Sequence, residues 1–123
     1  MLLYRAYGGE MTRYYMQRTI FDETIQERVR QDIKFGEQSY KLAPHDMTNE
    51  ECKNLRKLAQ EECEKNAKDG TLSWADIILE EFYEACAETN IELQYKELLQ
   101  MHAVTLHALE DLKYKIEQKI EVN

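Results

Sequence analysis

The chain has 123 residues, enough for one domain around a single core but few to spare for enclosing a substrate. A homodimer or tetramer that completes its site at an interface is therefore expected. With 24 acidic against 16 basic residues the formal charge is -8, which repels a phosphate backbone and argues against groove-bound nucleic acid; an acidic polyanion mimic is the lesser alternative. No apolar run approaches the ~20 residues that span a bilayer, and the start MLLYRAYGGE lacks the apolar core of a signal peptide, so no membrane partner and a cytoplasmic protein, in a cell or an infected host, are expected.

Four Gly and one Pro leave few obligatory turns, while Leu, Glu, Lys, Gln and Ala favour helix. The fold class expected is all-α, a helical bundle. Residues 1–18 carry Tyr4, Tyr7, Tyr14 and Tyr15 around Gly8-Gly9, a pattern that suits a short β-hairpin or an ordered aromatic arm. From Thr19 to about Lys34, Phe21, Ile25, Val29 and Ile33 recur every four positions and mark one stripe of a helix, which Phe35-Gly36 ends. The stretch from Gly36 to Met47, with Pro44, reads as a loop.

Thr48 with Glu51 makes a capping box, so a second helix starts there; its stripe is Cys52, Leu55, Ala59, Cys63 and Ala67, and Asp69-Gly70 stops it. Ser73 with Asp76 repeats the box and predicts a third helix from Trp74 to Glu88. A long fourth helix is expected from about Glu92 to Glu121. Cys52, Cys63 and Cys86 are odd in number and lack CxxC spacing, so they read as buried free thiols.

At 100° per residue, Glu81, Glu84 and Glu88 fall within about 60° of one another, in the sector of Trp74, Ile77 and Ala85. Those carboxylates point where the apolar face points, and burying several like charges demands protonation, a cationic partner or a metal. On the fourth helix Glu97 and Gln100 stand one turn apart beside Met101, Val104 and Ala108. Two antiparallel helices bring Glu81, Glu84, Glu97 and the Gln100 amide oxygen towards one point. Oxygen ligands in that number suit Mg²⁺ or Mn²⁺ rather than zinc. The competing reading pairs the glutamates with Lys or Arg of the first two helices. His102 and His107 lie about 140° apart on their helix and do not form an i, i+4 ligand pair.

The string Glu80-Glu81-Phe82-Tyr83-Glu84, followed after twelve residues by Glu97-Leu98-Leu99-Gln100, resembles the EExxE…ExxD signature of the MazG-like nucleotide pyrophosphohydrolases. Arg30 to Gln38, Leu72 to Glu81 and Glu97 to Val104 resemble strings of small MazG-like proteins of phages and actinobacteria, and the likeness covers about residues 23–112. It implies an all-α MazG-type fold with Mg²⁺ held by Glu81, Glu84, Glu97 and Gln100. It further implies hydrolysis of a nucleoside triphosphate to monophosphate and pyrophosphate, with Glu80 or Glu88 orienting the water. Lys34 would offset phosphate charge, and Trp74 or Tyr83 would stack on a base. Gln100 stands where the family has Asp; an amide ligates through its oxygen but brings no charge and is no base. A second implied function is thus a phage-type protein that binds and sequesters a nucleotide without cutting it.

Overall fold

A computed structural model describes residues 10–118, with side chains from residue 13 onward. Four helices follow in chain order: α1 (Glu10–Phe35), α2 (Asn49–Asp69), α3 (Trp74–Ala87) and α4 (Ile91–Glu117). The described residues contain no strand, so the all-α expectation holds. None of these helices is long and apolar enough to cross a membrane.

One expectation is overturned. Residues 10–18, read as part of a hairpin or arm, are the first turns of α1, and Tyr14 and Tyr15 sit on that helix; Tyr4, Tyr7 and Gly8-Gly9 lie outside the described residues. Tertiary contacts outweigh the strand preference of clustered tyrosines here. Met16 and Ile20 are buried against Leu106 and Tyr114, and these contacts recur at helical spacing.

The helix ends follow local chemistry. The Thr48 hydroxyl accepts from the Glu51 N–H at 3.1 Å while the Glu51 carboxylate accepts from the Thr48 N–H at 3.2 Å. Ser73 and Asp76 make the same reciprocal pair at 3.2 and 3.0 Å. Asp76 also accepts from the Asn66 side chain at 3.1 Å, tying the end of α2 to the start of α3. Those donors, the Ser73 N–H first, hold its carboxyl below the ordinary value. Gly70 stops α2 in the left-handed region at φ 74°, where a side chain would be strained, and its N–H returns to the Asn66 carbonyl. The third helix stops at Ala87 with Glu88 as its extended cap, and the fourth runs from Ile91 to Glu117; the expected end at Glu121 lies outside the described residues.

The described residues fall into two compact units. One comprises 10–39 and 106–118, in which α1 lies beside the second half of α4. There Glu110 is the one buried charge among the described residues, accepting from the Gln17 side chain at 3.1 Å with the Arg13 guanidinium at 3.7 Å. The other unit, Tyr40–Thr105, holds α2, α3 and the first half of α4. The side-chain contacts Gln60–Glu84 and Asn66–Asp76, with Asn49 bonded to the Ala87 carbonyl, step down α2 as they climb α3, so the two run antiparallel. Cys52, Cys86 and Ala87 form the core of this unit, closed by Leu42, Ala43, Met47 and Phe82.

Gln17→Leu removes the hydrogen bond to a carboxylate that is 2% exposed. Loss of about 1–3 kcal/mol by urea unfolding is expected; an unchanged midpoint would show that Arg13 alone suffices.

Candidate metal centre

All three carboxylates of interest lie in the unit Tyr40–Thr105. Glu81 and Glu84 project from the same side of α3 because they are three residues apart, and Glu97 comes from α4 after the short Glu88–Asn90 connection. That connection is pinned by the Gln94 side chain, which donates to the Glu88 carbonyl at 2.7 Å, and by the Asn90 side chain, which accepts from the Leu93 N–H at 3.1 Å. One oxygen from each of Glu81, Glu84 and Glu97 lies within 4.8 Å of the other two. Oxygens around a single Mg²⁺ at about 2.1 Å stand roughly 3 to 4 Å apart, so side-chain rotation of about an ångström closes the set on one ion.

The electrostatics are unbalanced. Among the described residues no Lys or Arg forms an ion pair with any of the three, which leaves the salt-bridge reading of these glutamates without a partner. One oxygen of Glu81 and one of Glu97 are buried with no hydrogen-bond partner among the described residues. Glu84 accepts a long contact of 3.5 Å from Gln60. Burial first, then the charges of Glu84, Glu80 and Glu97, pushes the Glu81 carboxyl above its ordinary value. Glu97 is raised in the same way, by burial, by Glu84 and by Glu88, with Lys96 pulling the other way. Glu84 contributes to both shifts, so the like charges of the cluster weigh against one another where no cation offsets them. A buried oxygen that can neither pair nor reach water is a standing energetic cost, and a divalent cation removes it.

The other residues singled out from the sequence fall in varied surroundings. Gln100, one turn beyond Glu97, is exposed. Glu80, also half-buried on α3, acts through its charge on both Cys63 and Glu81, while the Cys63 thiol donates to the Asp76 carbonyl at 3.1 Å. Glu88 is half-buried at the end of α3, and its charge is felt by Glu97. Trp74 is half-buried in the first turn of α3. Tyr83 packs edge-on against Phe82 at 5.4 Å and lines a small hollow with Leu55, Leu58 and Ala59 of α2, roughly 160° around α3 from Glu81. Lys34 belongs to the other unit, in the last turn of α1, with its ammonium 5.1 Å from the Phe35 ring.

The cysteines are free and buried. Burial, with Glu80 and other nearby carboxylates, pushes the Cys63 thiol up to about 12, and Cys86 is raised by burial and by Cys52, so neither is an activated nucleophile. Sequence reasoning missed a cavity of about 730 Å³ in the same unit. Tyr40, Leu42, Met47, Cys52, Cys86 and Leu98 give it apolar walls; Asn49, Glu88, Gln94 and Tyr95 give it polar ones. Its lining approaches the cluster at Glu88, about one helical turn or some 6 Å along the axis from Glu84, and at Leu98, the residue next to Glu97 on α4. Its lining joins a loop to three helices, a juxtaposition that no periodicity reveals.

No protein-family model, curated protein or solved structure matches this chain.

With Glu81 and Glu97 raised above their ordinary value of 4.5, the folded protein without metal binds more protons than the unfolded chain. Their contribution to stability is present below that value and is lost as pH rises through the folded values. In thermal melts Mg²⁺ is therefore expected to raise the midpoint at pH 7 and to do so less as pH falls towards 5. Glu81→Gln should melt a few degrees higher than the parent at pH 7 without metal and respond little to Mg²⁺. Coincident melting curves for parent and variant, with and without Mg²⁺, would contradict this account.

Proposed function

We propose that the chain is a Mg²⁺-dependent nucleotide pyrophosphohydrolase of the MazG-like type, which converts a nucleoside triphosphate to its monophosphate and pyrophosphate. The carrying observation is the gathering of Glu81, Glu84 and Glu97 with two buried carboxylate oxygens that have no partner. The resemblance of Glu80–Glu84 and Glu97–Gln100 to the EExxE…ExxD signature supports the same reading.

In this reading Glu81, Glu84 and Glu97 hold the ion; Mn²⁺ fits the same oxygen donors. When bound, the cation polarises the phosphate oxygens and lowers the pKa of a coordinated water. Glu88, whose charge acts on Glu97 and which also lines the neighbouring cavity, is the better placed of the two candidates to orient the attacking water; Glu80 acts on Glu81 by charge but does not line that cavity. The cavity beside the cluster is of a size to hold a nucleoside. Tyr40 and Tyr95 at its rim offer rings for stacking. They replace Trp74 and Tyr83 as candidates. Within this cavity the Asn49 and Gln94 amides each donate to a main-chain carbonyl, which fixes their orientation and leaves their oxygens as acceptors.

Gln100 supports a second reading, in which the nucleotide is held and not cut. Its amide supplies neither charge nor base where the resembled family has an aspartate, and it is exposed.

A panel of nucleoside triphosphates incubated with the protein and Mg²⁺ distinguishes the two. Pyrophosphate release that falls at least a hundredfold in Glu84→Gln is expected if this cluster places the ion. Tight nucleotide binding with no release would replace hydrolysis by sequestration, and the absence of both would end the nucleotide reading.

A further inference from the structure

Three sulfur-bearing side chains that the acidic cluster does not use come together in one wall of the cavity. Cys52 and Cys86 are 1% and 3% exposed and form one buried group with Ala87, and Met47 packs against that group. All three line the cavity of about 730 Å³, which gives solutes a route to them. They arrive from separate segments: Met47 from the loop before α2, Cys52 from the first turn of α2 and Cys86 from the last turn of α3. Both thiols are free.

The backbone around each is fixed by bonds that do not involve sulfur. The Asn49 side chain donates to the Ala87 carbonyl at 2.9 Å, which clasps the start of α2 to the end of α3 between the two cysteines. The Met47 N–H donates to the Pro44 carbonyl at 3.2 Å, and the Cys52 N–H to the Thr48 carbonyl at 3.0 Å. A donor set held in this way is ready for a ligand without rebuilding its frame.

The donor chemistry selects the ion. Thiolate and thioether sulfurs are soft and bind Cu⁺, whereas Mg²⁺ and Mn²⁺ seek oxygen. Cys86 stands two residues after Glu84, about 200° around α3, so the sulfur group and the carboxylates leave that helix on opposite sides. Leu42, Ala43 and Phe82 close the sulfur group, and such an apolar shell limits water and favours the monovalent ion over hydrated Cu²⁺. Two thiolates around one Cu⁺ carry a net charge of minus one, and Lys41, which lines the same cavity, brings the opposite sign.

We propose that Met47, Cys52 and Cys86 form a binding site for a soft monovalent cation, Cu⁺, held by two thiolates and one thioether in the cavity wall. On loading, two S–H bonds break and two Cu–S bonds form; both protons leave to solvent and no electron is transferred. Met47 contributes a sulfur lone pair. The site is independent of the nucleotide reading and of the acidic cluster.

The reduced full chain, without oxygen and with Cu⁺ as the added metal, is titrated against a Cu⁺-specific coloured chelator, and the loaded protein is examined by X-ray absorption. One Cu⁺ per chain with a shell of three sulfurs is expected. Cys52→Ser and Cys86→Ser should each weaken binding by about a hundredfold or more, and Met47→Leu, which nearly keeps the volume, by about tenfold. Cys63→Ser should leave it within about threefold, because Cys63 lies roughly 16 Å along α2 from Cys52. The absorption spectrum of the parent needs no variant, so a serine that unfolds the unit does not spoil the test. A chain that yields all its Cu⁺ to the chelator would overturn the proposal and leave the three side chains as core filling. An oxygen or nitrogen shell, or binding that survives Cys52→Ser with Cys86→Ser, would overturn it as well. A two-sulfur shell indifferent to Met47→Leu would refute the three-donor set.

Discussion

Three glutamate side chains are gathered on two helices with no Lys or Arg paired to them among the described residues, and the organisation of the Tyr40–Thr105 unit is best understood from that conflict. Like charges that share a partly dry space repel, and two of their buried oxygens have no donor among the described residues. The unit holds them there with groups that do not neutralise them. Capping boxes fix where α2 and α3 begin, Asn66 ties Asp76, Asn49 ties the Ala87 carbonyl and Gln94 ties the turn into α4. Glu110 in the other unit shows how the chain buries a carboxylate that serves packing: an amide donor and a guanidinium stand within reach. The contrast between the two places is the physical reason to read Glu81, Glu84 and Glu97 as ligands.

Much of this could be seen in the sequence because it depends on short spacings. Thr48 with Glu51 and Ser73 with Asp76 are i, i+3 pairs whose bonds form within one turn, and Gly70 follows the last residue of a periodic stripe. The angle between Glu81 and Glu84 follows from the helix repeat, and the side on which Glu97 emerges follows from the same arithmetic on α4. Where partners lie far apart in the chain, the sequence was silent or misleading. The tyrosines before Arg18 suggested a hairpin, yet the segment is helical because Met16 and Ile20 find Leu106 and Tyr114 some ninety residues later. Gln17 and Glu110 meet for the same reason, and neither stands out alone.

The cavity and the α1 stripe show two further ways in which a one-dimensional reading falls short. The cavity is assembled from the loop after α1 and from one face each of α2, α3 and α4, so its lining has no motif. The stripe was visible as a period of four, but periodicity reveals that a face is apolar and not what covers it. Among the described residues nothing covers Ile25, Val29 and Ile33, which are 63%, 52% and 81% exposed.

Crystals soaked in Mn²⁺ and measured at its absorption edge test the metal centre most directly, because anomalous scattering locates the ion without reference to activity. The account predicts one ion per chain within about 2.2 Å of oxygens from Glu81, Glu84 and Glu97, lost in Glu81→Gln. Full occupancy elsewhere with none at this cluster, or an ordered cluster that keeps its protons in saturating Mn²⁺, would contradict it.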